Sequence, residues 1–183
     1  MRGLFIGRFQ PLHNGHLRAI RYALERVDEL IIGVGSAQYS YSIENPFTAG
    51  ERILMIKNAL KETGINLSRV YIVPIVDVHN NNIWVAHVES LVPNFNIVFS
   101  NNPLVIELFT SRGYKVEKIP MYKREILSST YIRKLMLKGD SKWRKLVPKA
   151  VADIIDSIKG EERLRKVSSS DEGYKMFNRM TYW

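Results

Sequence analysis

Leu4-Phe5-Ile6-Gly7-Arg8-Phe9-Gln10-Pro11-Leu12-His13-Asn14-Gly15-His16 joins a compact apolar run, a turn shaped by Gly and Pro, and two histidines three residues apart. Residues 4–6 read as a strand closed by Gly7. Over residues 14–26 and just beyond, Leu17, Ile20, Ala23, Leu24 and Val27 recur at helical spacing, so the turn feeds a helix with one buried face. In a parallel sheet this places a helix start at the carboxyl end of a strand, where unpaired N–H groups and a partial positive charge bind phosphate. Gly7 lets the backbone approach a ligand, and Gly15 avoids a Cβ where helix and strand meet. His13 and His16 share one side of the first turn and can donate to phosphate oxygens. A surface pair or a metal site would use the same spacing, but His79 and His87 lie in other segments and supply no obvious third ligand.

Further along, the same alternation repeats. Residues 30–35 are apolar throughout, as in a strand covered on both faces. Thr48-Ala49-Gly50-Glu51 is a capping box, and Ile53, Ile56 and Leu60 mark the buried stripe of its helix. Strands are expected at 70–76, 96–99 and 115–119, and a helix at 83–91. Asn102 caps a helix that has Pro103 at its first position; Ser128 or Ser129 caps another; Pro148 opens a last regular helix ending at Gly160. This order predicts an α/β, Rossmann-like, doubly wound parallel sheet of about five strands, with helices on both faces and a helical C-terminal extension. One domain covers 1–167. The tail, 168–183, has a polar break at 168–173 followed by Tyr174, Met176, Phe177, Met180, Tyr182 and Trp183. It is either disordered or docked on its own domain or a neighbouring subunit; so many large apolar groups favour docking.

Composition narrows the class. The 183 residues are 45% hydrophobic and 25% charged, which excludes a disordered or fibrous chain. With no cysteine, disulfides, thiol nucleophiles, iron–sulfur clusters and cysteine zinc sites are out. No apolar run approaches the roughly 18 residues of a membrane span. Met1-Arg2 leads directly into a strand, which leaves no signal peptide and points to the cytoplasm. The net charge of +9 favours anionic partners: nucleotides, nucleic acid or an acidic membrane surface. Its excess is concentrated after residue 120, where basic and acidic residues nevertheless alternate through 149–165, as on a solvated helix.

A second candidate motif, Leu127-Ser128-Ser129-Thr130-Tyr131-Ile132-Arg133, follows the last expected strand. Ser129 and Thr130 offer hydroxyl and N–H groups at a helix start, and Arg133 adds a forked cation one turn on. Alone it reads as an ordinary cap. Beside the first motif it makes a second phosphate clamp on one sheet edge.

GRFQPLHNGH resembles the GxFxPxHxGH signature of the nucleotidyltransferase superfamily, and LSSTYIR is similar to its ISSTxIR segment. Residues 35–38, 45–52, Asp77 with 81–85, and 100–105 resemble the archaeal-type nicotinamide mononucleotide (NMN) adenylyltransferases, a likeness running from Met1 to about Lys166. The resemblance implies transfer of the adenylyl group of ATP to NMN, giving NAD+ and pyrophosphate in NAD biosynthesis, by direct attack of the mononucleotide phosphate. That phosphate is already anionic near neutral pH, so no protein base or covalent intermediate is required. His16, His13, Arg8 and Arg133 become the catalytic set. Gly7, Phe9, Gly15, Asn102, Ser129 and Thr130 join them around ATP, with the 100–105 turn holding adenosine. Ser36, Phe47, Asp77, Asn81 and Trp84 form the NMN side, where an indole face suits a cationic pyridinium; Trp84 and Phe47 serve equally well as core residues. Mg2+ is expected on the ATP phosphates with no protein ligands. No nucleic acid or membrane partner is implied, and the family suggests a homo-oligomer, a hexamer. Nicotinate mononucleotide, phosphopantetheine or a flavin as acceptor, and nucleic-acid binding, stay open. Glu44 stands where some members carry a basic residue, Asn101 where Gly is frequent, and Ser129 makes SST of the usual archaeal SGT.

Overall fold

The structure, a computed structural model, describes residues 1–123 and 125–170. Strands and helices alternate among them: β1 (Arg2–Gly7), α1 (Asn14–Leu24), β2 (Glu29–Val34), α2 (Ala49–Glu62), β3 (Val70–Pro74), α3 (Asn81–Leu91), β4 (Ile97–Phe99), α4 (Pro103–Ser111), β5 (Lys115–Glu117), α5 (Ser129–Leu137), α6 (Lys149–Ser157) and α7 (Gly160–Ser168). All strand pairs are parallel, in the order β3-β2-β1-β4-β5. The winding therefore reverses between β1 and β4, and the loops leaving these two strands diverge to open a crevice, the usual ligand position in such sheets.

Strand residues alternate between two cores. Leu4, Ile31 and Val98 are in register and join Val85, Val88 and Phe109 of α3 and α4 on one face. Phe5, Ile32 and Phe99, one residue on, join the larger core with α1, α2, α5, α6 and α7 on the other. No helix among the described residues is long and apolar enough to cross a membrane. The capping box at Thr48 and Glu51 forms reciprocally, and Asn102 caps α4 with Pro103 in its first turn. Ser128, rather than Ser129, caps α5.

Two expectations are corrected here. The helix opened by Pro148 ends at Ser157, and Gly160 begins α7 instead of closing α6. Lys159, at φ 51°, turns the corner in the left-handed conformation. Gly160 is required by crowding: a Cβ there would stand 2.7 Å from Phe47 Cε1 and 3.3 Å from the Ile155 carbonyl oxygen. Phe47, expected at the mononucleotide, is itself fully buried beneath α7 and presents no side-chain surface to a ligand. Arg163 fastens α7 to the same region, donating to both carboxylate oxygens of Glu51 at 2.8 and 2.9 Å and to the Pro46 carbonyl. Trp143, fully buried in the 3₁₀ turn Ser141–Leu146, donates its indole N–H to Glu161. Of the tail expected to dock, residues 171–183 lie outside the described residues.

Gly160→Ala is expected to lower stability by about 1–3 kcal/mol, the cost of overfilling a close-packed contact. A urea titration reads it directly; an unchanged midpoint would show that Phe47 yields without cost.

Candidate active site

His13 is the N-cap of α1, and His16 is its third residue. Each backbone N–H donates to the other ring's Nδ1, His13 N–H at 3.2 Å and His16 N–H at 3.3 Å. The rings stack with centroids 3.6 Å apart. A neutral imidazole accepting at Nδ1 must carry its proton on Nε2, so both rings are held as Nε2–H donors. Burial lowers His13 to about 4. Burial, then the nearby His13, drives His16 well below its ordinary value. The first turn spends the His16 N–H on the cap and leaves those of Asn14 and Gly15 for outside acceptors. Gly15 leaves room for this arrangement, because a Cβ would stand 3.0 Å from the His13 ring. Phe9, placed at ATP by sequence, lies behind the site: it is 1% exposed, with its ring edge-on to His16 at 4.8 Å. Gly7 ends β1 and accepts the Gly35 N–H through its carbonyl.

The second clamp reaches the same turn. Ser129 Oγ donates to the Pro11 carbonyl at 2.9 Å, and Arg133 Nη1 donates to the Gln10 carbonyl at 2.8 Å. Arg133 Nη2 leans on Thr130 Oγ1 at 3.4 Å, while the buried Nε–H has no partner among the described residues. Because Ser128 Oγ satisfies the Tyr131 N–H, the N–H groups of Ser129 and Thr130 remain for another acceptor. Burial, then the neighbouring Arg8 cation, lowers the Arg133 guanidinium to about 10 against an opposing pull from Glu44. Arg8 is exposed and lies 4.0 Å from Glu44. A cleft of about 480 Å³ beside this turn is lined by Gly15, His16, Asn102, Pro103, Tyr122 and Leu127, among others. Asn102 contributes as a wall, since its Oδ1 is occupied by the N–H groups of Leu104 and Val105. Asn101 bridges the sheet edge by bonding both the N–H and the carbonyl of Ile119.

On the other side of α4, a smaller cleft of about 250 Å³ is lined by Asp77, His79, Asn81, Trp84, Leu104 and Val105, among others. Three residues expected at NMN, Asp77, Asn81 and Trp84, thus share one cavity. Ser36 adjoins it by donating its hydroxyl to Asp77 Oδ2 at 2.7 Å. Phe109 braces the Trp84 ring edge-on at 5.5 Å. Tyr39 Oη and His79 Nε2, 2.6 Å apart, tie the outer loop across the cavity rim.

Two supporting residues escaped the sequence reading. Gln10 is 1% exposed and binds the Phe47 N–H and carbonyl, joining the histidine loop to the cap of α2. Arg52 is fully buried and donates to the carbonyls of Arg8, Gly35, Ser36 and Thr48. Its signal is visible in retrospect: Arg52, Met55, Ile56, Ala59 and Leu60 make one buried stripe, with a cation at its first position. Among the described residues, no group of three or more His, Asp or Glu could hold a metal ion.

Comparison with known proteins places this arrangement. Residues 4–135 match the Cytidylyltransferase-like family. A nicotinamide-nucleotide adenylyltransferase of Saccharolobus solfataricus is 53% identical over 171 residues, 93% of this chain and 99% of the relative. The chain belongs to the nicotinamide-nucleotide adenylyltransferase family. Another member, from Pyrobaculum aerophilum, is 57% identical over 164 residues, 90% of this chain and 92% of its own length. Among solved structures, a bifunctional NMN adenylyltransferase/ADP ribose pyrophosphatase of Francisella tularensis, complexed with AMP and a manganese ion, aligns with a TM-score of 0.75 at 26% identity. That alignment covers 99% of this chain and 55% of the other, so the chain spans about half of the bifunctional enzyme.

The stacked histidines, His13 buried and His16 half-buried, give a pH signature. As pH falls from about 6.5 toward 4, the unfolded chain binds a proton that folded His13 refuses, so stability present above 6.5 is lost. A fall in pKa from 6.5 to about 4 corresponds to about 3 kcal/mol, and His16 acts in the same direction. The melting temperature of the ligand-free protein should therefore drop through this window. His13→Asn, which keeps an acceptor near the position of Nδ1, should flatten the drop; parallel curves for the two proteins would refute it.

Proposed function

We propose that the protein transfers the adenylyl group of ATP to NMN, forming NAD+ and releasing pyrophosphate. One observation carries this reading: two helix N-termini from distant parts of the chain meet at the Gln10-Pro11 turn, with N–H groups left open and Arg133 Nε unpartnered among the described residues. Such a convergence of N–H groups and a buried guanidinium is chemically suited to a polyanion. The family relatives support the reaction class, and the second cleft, lined by Trp84 and Asp77, supports a mononucleotide site there.

In this mechanism the NMN phosphate oxygen attacks the α-phosphorus of ATP in line. A P–O bond forms to the incoming oxygen, the bond from the α-phosphorus to the bridging oxygen breaks, and its electron pair leaves with pyrophosphate. The nucleophile is anionic, so the residues have no proton to remove; they position the partners and stabilise charge. His16 and His13 present Nε2–H groups to the triphosphate, and Arg133, Arg8 and the start of α5 hold the β- and γ-phosphates and the leaving group. ATP enters as its complex with a divalent cation, magnesium in this reading. The side chains around the turn are donors and cations, suited to the phosphates rather than to the metal; manganese in the Francisella structure is consistent with a divalent ion at this step.

His16→Ala is expected to reduce kcat by about 10²–10³-fold while raising the KM for ATP much less, the signature of a contact strengthened in the transition state. Equal losses in both, or none, would remove His16 from that role. Pyrophosphate release measured with NMN, nicotinate mononucleotide, phosphopantetheine and a flavin mononucleotide as acceptors tests the reading as a whole; turnover that does not depend on NMN overturns it. Trp84→Ala should raise the KM for NMN roughly 3–30-fold, the range of a lost cation–π contact, and leave the KM for ATP unchanged. A shift in the KM for ATP instead would place Trp84 outside the mononucleotide site.

A further inference from the structure

Arg52 carries a cation into the core with no ion-pair partner among the described residues. Burying a charge in this way costs several kcal/mol unless its hydrogen bonds are met, and an apolar residue would continue the buried stripe of α2 without that cost. What the guanidinium does instead is grip carbonyls. Nη1 donates to the Arg8 carbonyl at 2.8 Å and the Gly35 carbonyl at 2.7 Å, Nη2 to the Ser36 carbonyl at 3.1 Å, and Nε to the Thr48 carbonyl at 3.3 Å. These belong to the loop after β1, the loop after β2 and the cap of α2.

Both loops hold a non-glycine residue in the left-handed region beside a gripped carbonyl. Phe9, at φ 52°, follows Arg8, and Ser36, at φ 50°, is itself gripped. Such conformations are costly for non-glycine residues and persist only where surrounding contacts impose them. Each aims a side chain at one half of the site. The Phe9 ring backs His16, and the Ser36 hydroxyl holds Asp77.

We propose that Arg52 is a positioning residue that sets the distance between the ATP-phosphate loop and the mononucleotide loop, acting on one through Phe9 and His16 and on the other through Ser36 and Asp77. The inference rests on the proposed adenylyl transfer, in which the separation of the two reacting groups is what the protein controls. Aligned reaction of two bound partners is acutely sensitive to such spacing; a displacement of about 1 Å can cost 10²-fold in rate.

Arg52→Lys keeps the charge but cannot span the carbonyls, and Arg52→Met removes the donors while filling the space. In both variants kcat is expected to fall about 10²-fold, while each KM moves less than about five-fold, the pattern of lost alignment rather than lost binding. Amide hydrogen exchange supplies a readout independent of turnover. The Gly35 N–H, bonded to the Gly7 carbonyl, and the Ala37 N–H, bonded to the Ile75 carbonyl, should exchange at least about ten-fold faster. The amides of α6 should keep their protection. A lower melting temperature with native kcat per folded molecule would reduce Arg52 to a packing role and overturn the proposal, as would unchanged exchange at Gly35 and Ala37. If Arg52→Met fails to fold, Arg52→Lys decides. If the native enzyme forms no dinucleotide, the proposed function falls, and exchange in the lysine variant still decides whether Arg52 fixes the loops.

Discussion

Two hydrogen bonds between segments 118 and 123 residues apart, from Ser129 Oγ to the Pro11 carbonyl and from Arg133 Nη1 to the Gln10 carbonyl, make one site of two motifs. A helix start near residue 14 and another near residue 129 would otherwise be separate anion sites, each weak alone. The sheet makes their meeting possible, because reversal of its winding at β1 and β4 opens both loops on the same edge. The bonds then fix how α5 sits against the histidine turn. Gln10 extends the connection by holding Phe47, and Phe47 in turn lies under Gly160 of α7. The C-terminal helices are thereby coupled to the histidine turn without lining it.

Electrostatically, the site works against itself. Burial, and after it the Arg8 cation, lowers the affinity of both Arg52 and Arg133 for their protons, yet at about 10 both guanidiniums remain charged near neutrality. The histidines take the opposite course: burial keeps them neutral, with their donors already aimed. A triphosphate would relieve the repulsion among the guanidiniums and meet donors that need no reorganisation, the condition under which hydrogen bonds contribute most to catalysis. Glu44 lies 4.0 Å from Arg8, a weak tether at an exposed position.

Much of this was legible in the sequence because its causes are local. Capping residues, period-2 and period-3.6 apolar runs and turn glycines are written within a few positions, and they gave the strand and helix order, the cap at Thr48 and the Asn102-Pro103 helix start. Ser129 and Arg133 read as a candidate clamp only in combination with the histidines. What escaped depends on contacts across the chain. Gly160 read as a helix stop, although its reason is a phenylalanine 113 positions earlier. Phe47 and Phe9 carry aromatic rings that fit a ligand as well as a core, and burial alone tells the two apart. Arg52 fell on an apolar stripe whose pattern predicts a hydrophobe; only the carbonyls of two separate loops explain its charge.

The two clefts share a wall, and that wall is the first turn of α4. Asn102 and Pro103 face the larger cavity, and Leu104 and Val105 face the smaller. Asn102 caps the helix with its own side chain, Ser100 Oγ accepts the Asn102 N–H, and Asn101 ties the preceding loop to Ile119. Each anchor therefore lies on the β4 side of the crevice. Arg52 anchors the loops on the β1 and β2 side. Neither set includes a group that must take up or release a proton. In the proposed transfer, whose nucleophile would arrive already ionised, the two sides of the crevice need only keep their distance, and the anchors on each side are backbone carbonyls and amide side chains, whose charge does not vary with pH.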